Sequence, residues 1–109
     1  IKIYGTSLFR NSGTLPINGT YILPLNGIQK VAILHIAVHS ESGSNSEGGI
    51  WMVTTNNVKL ISGTANTAVG DIAGKLCVLF ESINFVKVIN NLSESISYVL
   101  TMDWITKEM

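Results

Sequence analysis

Three runs near the end of the chain, residues 74–80, 84–92 and 95–104, follow one another with almost nothing between them. In the last of them Ile96, Tyr98, Leu100, Met102 and Trp104 alternate with Ser95, Ser97, Val99, Thr101 and Asp103. A period of two is the signature of a strand with one face buried and one face wet. The three runs predict strands over 75–81, 84–90 and 95–105. No segment of helical length carries a 3.6-residue period, so the fold class is all-β, an antiparallel β-sandwich of about 7–9 strands.

The upstream half extends the pattern. Residues 5–19 are dense in Gly, Ser, Asn and Thr and read as a loop, with at most a short strand near Leu8 and Phe9. A strand is expected over 20–25, at a sheet edge because Pro24 has no amide to donate. Asn26-Gly27 then predicts a two-residue hairpin turn into a strand over 28–39. In that strand Val31, Ile33 and Ala37 lie on one face and Ala32, Leu34, Ile36 and Val38 on the other. A strand apolar on both faces is covered on both sides. One cover is the core of the sandwich and the other is expected to be a second subunit, through Val31, Ile33, His35, Ala37 and His39. A polar loop over 40–49, strands over 50–55 and 58–62 joined at Asn56-Asn57, and a short strand near 67–69 complete the reading.

Composition narrows the function. The 109 residues make one domain, with a core large enough to need no disulfide. Cys77 has no partner in the chain and reads as a small core hydrophobe. Seven basic and seven acidic residues cancel and form no basic stripe, which argues against nucleic acid. Charged residues are 13% of the chain, against about 25% in an ordinary soluble domain. So few charges coat a monomer poorly. The apolar run 31–38 is interrupted by His35 and is far shorter than the roughly 20 residues of a spanning helix, so membrane insertion is not expected. Subunit contacts are the better account of the apolar excess. The chain starts at Ile1 without an initiator Met or a signal segment, and is read as a piece of a longer polypeptide.

Catalytic signatures are missing. His35 and His39 have the outer spacing of a metalloprotease helix, but Ile36 stands where a Glu base is needed. In a strand, four rises of about 3.3 Å separate such a pair by roughly 13 Å, too far for one ion. The imidazoles are expected to pack on or near an interface. Alternatively, three-fold symmetry brings three copies of one His together as an intersubunit metal or pH-sensitive contact. The run 70–75 is one residue short of a phosphate loop and has Leu76 in place of the Ser or Thr that holds magnesium. Glu41, Glu47, Asp71, Glu81, Glu94 and Asp103 are too scattered to nominate an acid–base pair, and no Gly-x-Ser-x-Gly elbow occurs. No catalytic residue, metal or cofactor is assigned. Asn18-Gly19-Thr20 and Asn91-Leu92-Ser93 fit the glycosylation acceptor pattern, a tripeptide that arises often by chance. Trp51 and Trp104 are the rings to ask about for sugar stacking, although a place in the core or an interface is the simpler expectation for both.

If consecutive strands alternate in direction, the polar connections 5–19, 40–49, 63–74 and 91–94 gather at one end of the sandwich. Loops on a rigid scaffold are the default site of binding. The ligand-binding candidates are Ser44, Asn45, Trp51, Asn66 and Asp71.

Four segments carry a family resemblance: Leu60-Ile61-Ser62-Gly63-Thr64, Gly74-Lys75-Leu76-Cys77-Val78, Val88-Ile89-Asn90-Asn91-Leu92 and Ser97-Tyr98-Val99-Leu100. Together they cover under half of the chain. Their order resembles that in the C-terminal domains of bacteriophage tailspikes and tail fibres. Ser93 stands where that pattern more often has Gly. The resemblance implies a jelly-roll-like sandwich assembled as a homotrimer at the distal end of a virion's tail fibre or tailspike. There it would hold three chains in register and attach to a glycan on the host cell surface. A trimerisation and folding cap without a ligand, and a non-viral adhesion or lectin domain, are the alternatives.

Overall fold

The computed structural model describes residues 4–24, 31–54, 57–82 and 85–108. Its elements are β1 (Tyr4–Leu15), β2 (Thr20–Pro24), β3 (Val31–Ser40), β4 (Ser46–Thr54), β5 (Val58–Gly63), β6 (Thr67–Val69), β7 (Leu76–Ser82), β8 (Phe85–Asn90) and β9 (Ile96–Glu108). Among the described residues there is no helix. The strands form two sheets, ordered β1-β9-β3-β4-β5 and β2-β8-β7-β6. All neighbours are antiparallel except β6 and β7, which run parallel. The chain therefore doubles back on itself, β1 beside β9 and β2 beside β8. A 13-residue strand at about 3.3 Å per residue spans roughly 43 Å, so β9 lies along the 51 Å axis of the molecule.

The core lies between the sheets. Ala32, Leu34, Ile36 and Val38 of β3, Trp51 and Val53 of β4, and Ile96, Leu100 and Met102 of β9 are buried against Leu23 of β2, Leu76 and Val78 of β7, and Val86 and Val88 of β8. The alternation read in the final strand is borne out: Ile96, Leu100 and Met102 face inward, while Ser97, Val99 and Asp103 are exposed. β2 is an edge strand ending at Pro24, as a residue without an amide requires. Cys77 is fully buried, with its thiol facing the carbonyls of Ile72 at 3.3 Å and Lys75 at 3.4 Å.

Three expectations need correction. Residues 5–19 are mostly strand: β1 pairs with β9 from Tyr4↔Glu108 to Leu15↔Ile96. Its Gly, Ser and Asn residues have low strand propensity, but a ready-made partner in β9 pairs the amides and carbonyls on the side of β1 that faces it. Next, the hairpin predicted at Asn26-Gly27 lies outside the described residues, and the strands that it was to join do not pair. β2 bonds β8 in one sheet, and β3 sits between β9 and β4 in the other. Last, strict alternation of direction fails at β6 and β7, because residues 70–75 fold back over the outer face of their sheet. Gly70 and Gly74, with φ of 91° and 78°, supply the left-handed turns that this crossover needs.

Tyr98 packs beside Tyr21 of the other sheet, with ring centroids 5.9 Å apart, and its hydroxyl accepts a hydrogen bond from Asn11 Nδ2 at 3.3 Å. Burial, and secondarily the neighbouring Tyr21, raises the Tyr98 pKa above its ordinary 10.0. A group whose folded pKa is raised contributes stability that is complete below its unfolded pKa and is lost as the pH climbs through the folded value. Stability is therefore expected to fall above pH 10, the unfolded value. Thermal unfolding of the wild type and of Tyr98→Phe on either side of that pH checks this, since the variant should show the smaller loss.

Candidate functional site

The loop-rich end is organised by Asn90, the last residue of β8. Its side chain is fully buried, and its Nδ2 donates to the carbonyls of Glu94 at 2.9 Å, Pro16 at 3.1 Å and Leu15 at 3.2 Å. Its Oδ1 accepts the Leu92 amide at 3.1 Å. One side chain thus ties the turn before β2 to the 91–95 connection. Around it, Asn18 N–H donates to Asn90 O, Gly74 N–H to Asn91 O, and Glu41 N–H to Ser95 O. The connections 16–19, 41–45, 70–75 and 91–95 therefore share one end, as alternation of strand direction predicts for most of the chain. Replacing Asn90 with Ala should cost about 2–3 kcal/mol, because it leaves buried carbonyls without donors. A urea titration of the variant checks the size.

On the outer face of the four-stranded sheet this end holds a groove of about 540 Å³. Ile89 of β8 forms an apolar floor, with Thr20 paired beside it on β2. The other wall is the crossover, through Asp71, Ala73 and Gly74. Asn18 and Asn91 line the loop end, and Lys87, two residues before Ile89 on the same face of β8, lines the other. Asn91 Nδ2 donates to Asp71 Oδ1 at 2.6 Å and to Ile72 O at 3.2 Å, which fixes the crossover against the sheet. Lys87 Nζ lies 3.3 Å from Glu81 Oε2 in a partly exposed ion pair. Among the described residues, the side chains of Asn18 and Thr20 meet no protein hydrogen-bond partner. The groove thus offers amides, a hydroxyl, a carboxylate and an ammonium above an apolar strip. Such a set recognises a ligand that alternates polar groups with C–H faces.

The predicted ligand-binding residues do not meet at one site. Asp71 lines the groove. Ser44 and Asn45 lie in the 41–45 loop, where Ser44 is hydrogen-bonded to Ser42 and Asn45 N–H donates to Ser40 Oγ at 3.1 Å. Asn66 instead clasps Glu47: its Nδ2 donates to Glu47 Oε2 at 2.9 Å, and Thr64 Oγ1 donates to the other carboxylate oxygen. That buried carboxylate anchors the corner between β5 and β6, a structural task that spacing in sequence did not reveal. Trp51 requires correction as a ligand contact. It is fully buried, so its ring is closed to a sugar. The periodicity of β4 predicts the inward direction, but the resulting burial depends on the opposing sheet.

The groove residues that the sequence reading missed are of two kinds. Asn18 and Asn91 stood out only as glycosylation acceptor patterns, and their common feature, Asn in two connections of the same end, was the available signal. Thr20 and Lys87 carried none, because their convergence follows from the β2–β8 register, Thr20↔Ile89 and Ile22↔Lys87.

The second surface is the outer face of the five-stranded sheet. All five interface candidates, Val31, Ile33, His35, Ala37 and His39, lie on that face of β3: Val31 and Ile33 are half-buried, and His35, Ala37 and His39 are exposed. Cross-strand register places Ala37 between Val99 and Gly48, and His35 between Thr101 and Ile50. The small residues leave a shallow depression of about 440 Å³ over this row. Val99 on the neighbouring β9 and Leu8 on β1 beyond it, at 37% and 65% exposure, add apolar surface to the same face. His39 Nδ1 lies 2.7 Å from Ser46 Oγ. No group of three or more His, Cys, Asp or Glu suited to a metal ion occurs among the described residues. Comparison with protein-family models, with curated proteins and with solved structures finds no match to this chain.

Proposed function

We propose that this domain is a non-enzymatic attachment module that binds a host cell-surface saccharide in the groove between β8 and the 70–75 crossover. In this reading it assembles as a homotrimer through the outer face of the five-stranded sheet and forms the distal, jelly-roll-like head of a bacteriophage tailspike or tail fibre on the virion. The observation that carries the binding reading is the groove itself: Asn18, Thr20, Asp71, Lys87 and Asn91 converge over Ile89 on a scaffold tied by Asn90. Rigid scaffolds with polar groups on their loops suit recognition of a flexible, hydroxyl-rich ligand. The assembly reading draws on the low charge of the chain and on the exposed Ala37, Val99 and Leu8. The placement on a phage particle draws on the four segments that resemble tailspike and tail-fibre C-terminal domains.

Two measurements test it. Light scattering after size exclusion should return three times the 11.8 kDa chain mass. A glycan array probed with the 109-residue chain should give hits that disappear when Asn18 and Thr20 are both replaced by Ala. A monomer would remove the assembly reading. An array without hits would leave the ligand-free trimerisation cap as the better description.

A further inference from the structure

We infer that the groove selects neutral, hydroxyl-bearing saccharides and disfavours acidic ones. This rests on reading the groove as a saccharide site, and it follows from how the charges there are already committed. Lys87 is the one cation among the lining residues, and its ammonium is shared with Glu81 at 3.3 Å. Asp71 is an exposed carboxylate that receives Asn91 Nδ2 on one oxygen. A carboxylate has about four lone-pair positions, so most of its acceptor capacity is left for hydroxyl donors from a ligand. Asn18 and Thr20 add an amide and a hydroxyl that can bond neutral hydroxyls as donor or acceptor. Ile89 beneath them, at 6% exposure, contributes only a narrow apolar strip at the groove floor. With Lys87 paired, the local charge carried by Asp71, Lys87 and Glu81 is one unit negative. A uronic acid, a sialic acid or a sulfated sugar would bring a second anion within a few ångströms of the exposed Asp71 in an open groove, where like charges at contact distance still repel by about 1 kcal/mol or more.

The geometry also sets the roles. Asp71 is the hydroxyl acceptor, while Asn91 is a positioning residue that holds Asp71 and the crossover in place. Glu81 acts at one remove, by occupying the Lys87 charge.

Saturation-transfer NMR and calorimetry with defined tetrasaccharides test the inference. The neutral probes are gluco-, manno- and galacto-tetraoses, and the acidic probes are tetragalacturonate and α2,8-linked tetrasialic acid. The expected result is binding of at least one neutral probe about tenfold or more tighter than either acidic probe. Asp71→Asn keeps the oxygen that Asn91 donates to, so the crossover should hold, and an unchanged melting temperature checks that. It should weaken the neutral probe by about tenfold or more, since a charge-assisted hydrogen bond is lost. Glu81→Gln should improve binding of the acidic probes by freeing Lys87. Acidic probes that bind wild type as tightly as neutral ones would overturn the charge argument while leaving the saccharide site standing. Neutral binding indifferent to Asp71→Asn would also overturn it. If no probe binds, the saccharide reading falls with it.

Discussion

Trp51→Ala is expected to be among the most destabilising substitutions in the chain, at about 3–5 kcal/mol for the lost ring plus about 1 kcal/mol for its hydrogen bond. The ring is fully buried on the inner face of β4, and its Nε1 donates to Ala68 O at 3.2 Å. Because β4 and β6 belong to different sheets, this one side chain joins the two layers by packing and by a hydrogen bond. Gly49 is part of the same arrangement: a Cβ there would stand 2.8 Å from the ring, so the glycine is what lets the indole fold back along its own strand. Against a typical domain stability of about 5–15 kcal/mol, the loss is enough to leave the variant partly unfolded at physiological temperature. Trp51→Phe should fall between, keeping most of the apolar area but leaving Ala68 O without its donor. Urea unfolding of the three proteins checks the order. Saccharide binding, if measured on folded Trp51→Phe, should be unchanged, because the ring is closed to the groove.

How far the fold could be read from residues depended on which force placed each strand. β3, β7 and β9 carry their own instruction in their apolar residues, and the sequence places β7, the end of β3 and the start of β9 within a residue, while β9 runs on to Glu108 and the predicted start of β3 at residue 28 lies outside the described residues. β1 carries almost none. Phe9 and Leu15 are the main apolar residues on its inward face, and the strand forms on the edge of β9 opposite β3, which β3 leaves unpaired. The hairpin expected from Asn26-Gly27 failed for a related reason. A local turn preference says how the chain bends and not which sheet the next strand will join, and burial of Leu23 and Leu34 on opposite sides of one core decided that.

The candidate site was less legible, and for a different reason. Asp71 could be picked out as a polar residue in a small-residue loop. Its partners are outward-facing residues of two strands whose register cannot be seen in sequence, and a one-residue slip of β2 against β8 would put Thr20 on the other face. Asn66 and Glu47 show the opposite error. Both look like surface polar groups, yet they bond each other at 2.9 Å to close a corner. Polar character alone does not separate a residue that binds a ligand from one that satisfies the backbone around it.

Ala37→Asp should convert the proposed assembly to monomers without unfolding the chain. Ala37 is exposed in the single chain, in the row between Val99 and Gly48, so a carboxylate there meets water and costs the monomer little. In an assembly built on this face each copy would bury that charge without a partner, a penalty of several kcal/mol per site and therefore decisive for association. Ile33→Asp should also dissociate the assembly but is a poorer probe, because Ile33 is half-buried within the chain and its loss would weaken the fold as well. The contrast between the two separates assembly from folding. Light scattering should report one chain mass for Ala37→Asp, with a far-ultraviolet circular dichroism spectrum unchanged from wild type. If Ala37→Asp stays assembled with unaltered stability, the outer face of β3 is not the contact, and the exposed apolar residues of the edge strand β5, Leu60 and Ile61, become the next to mutate.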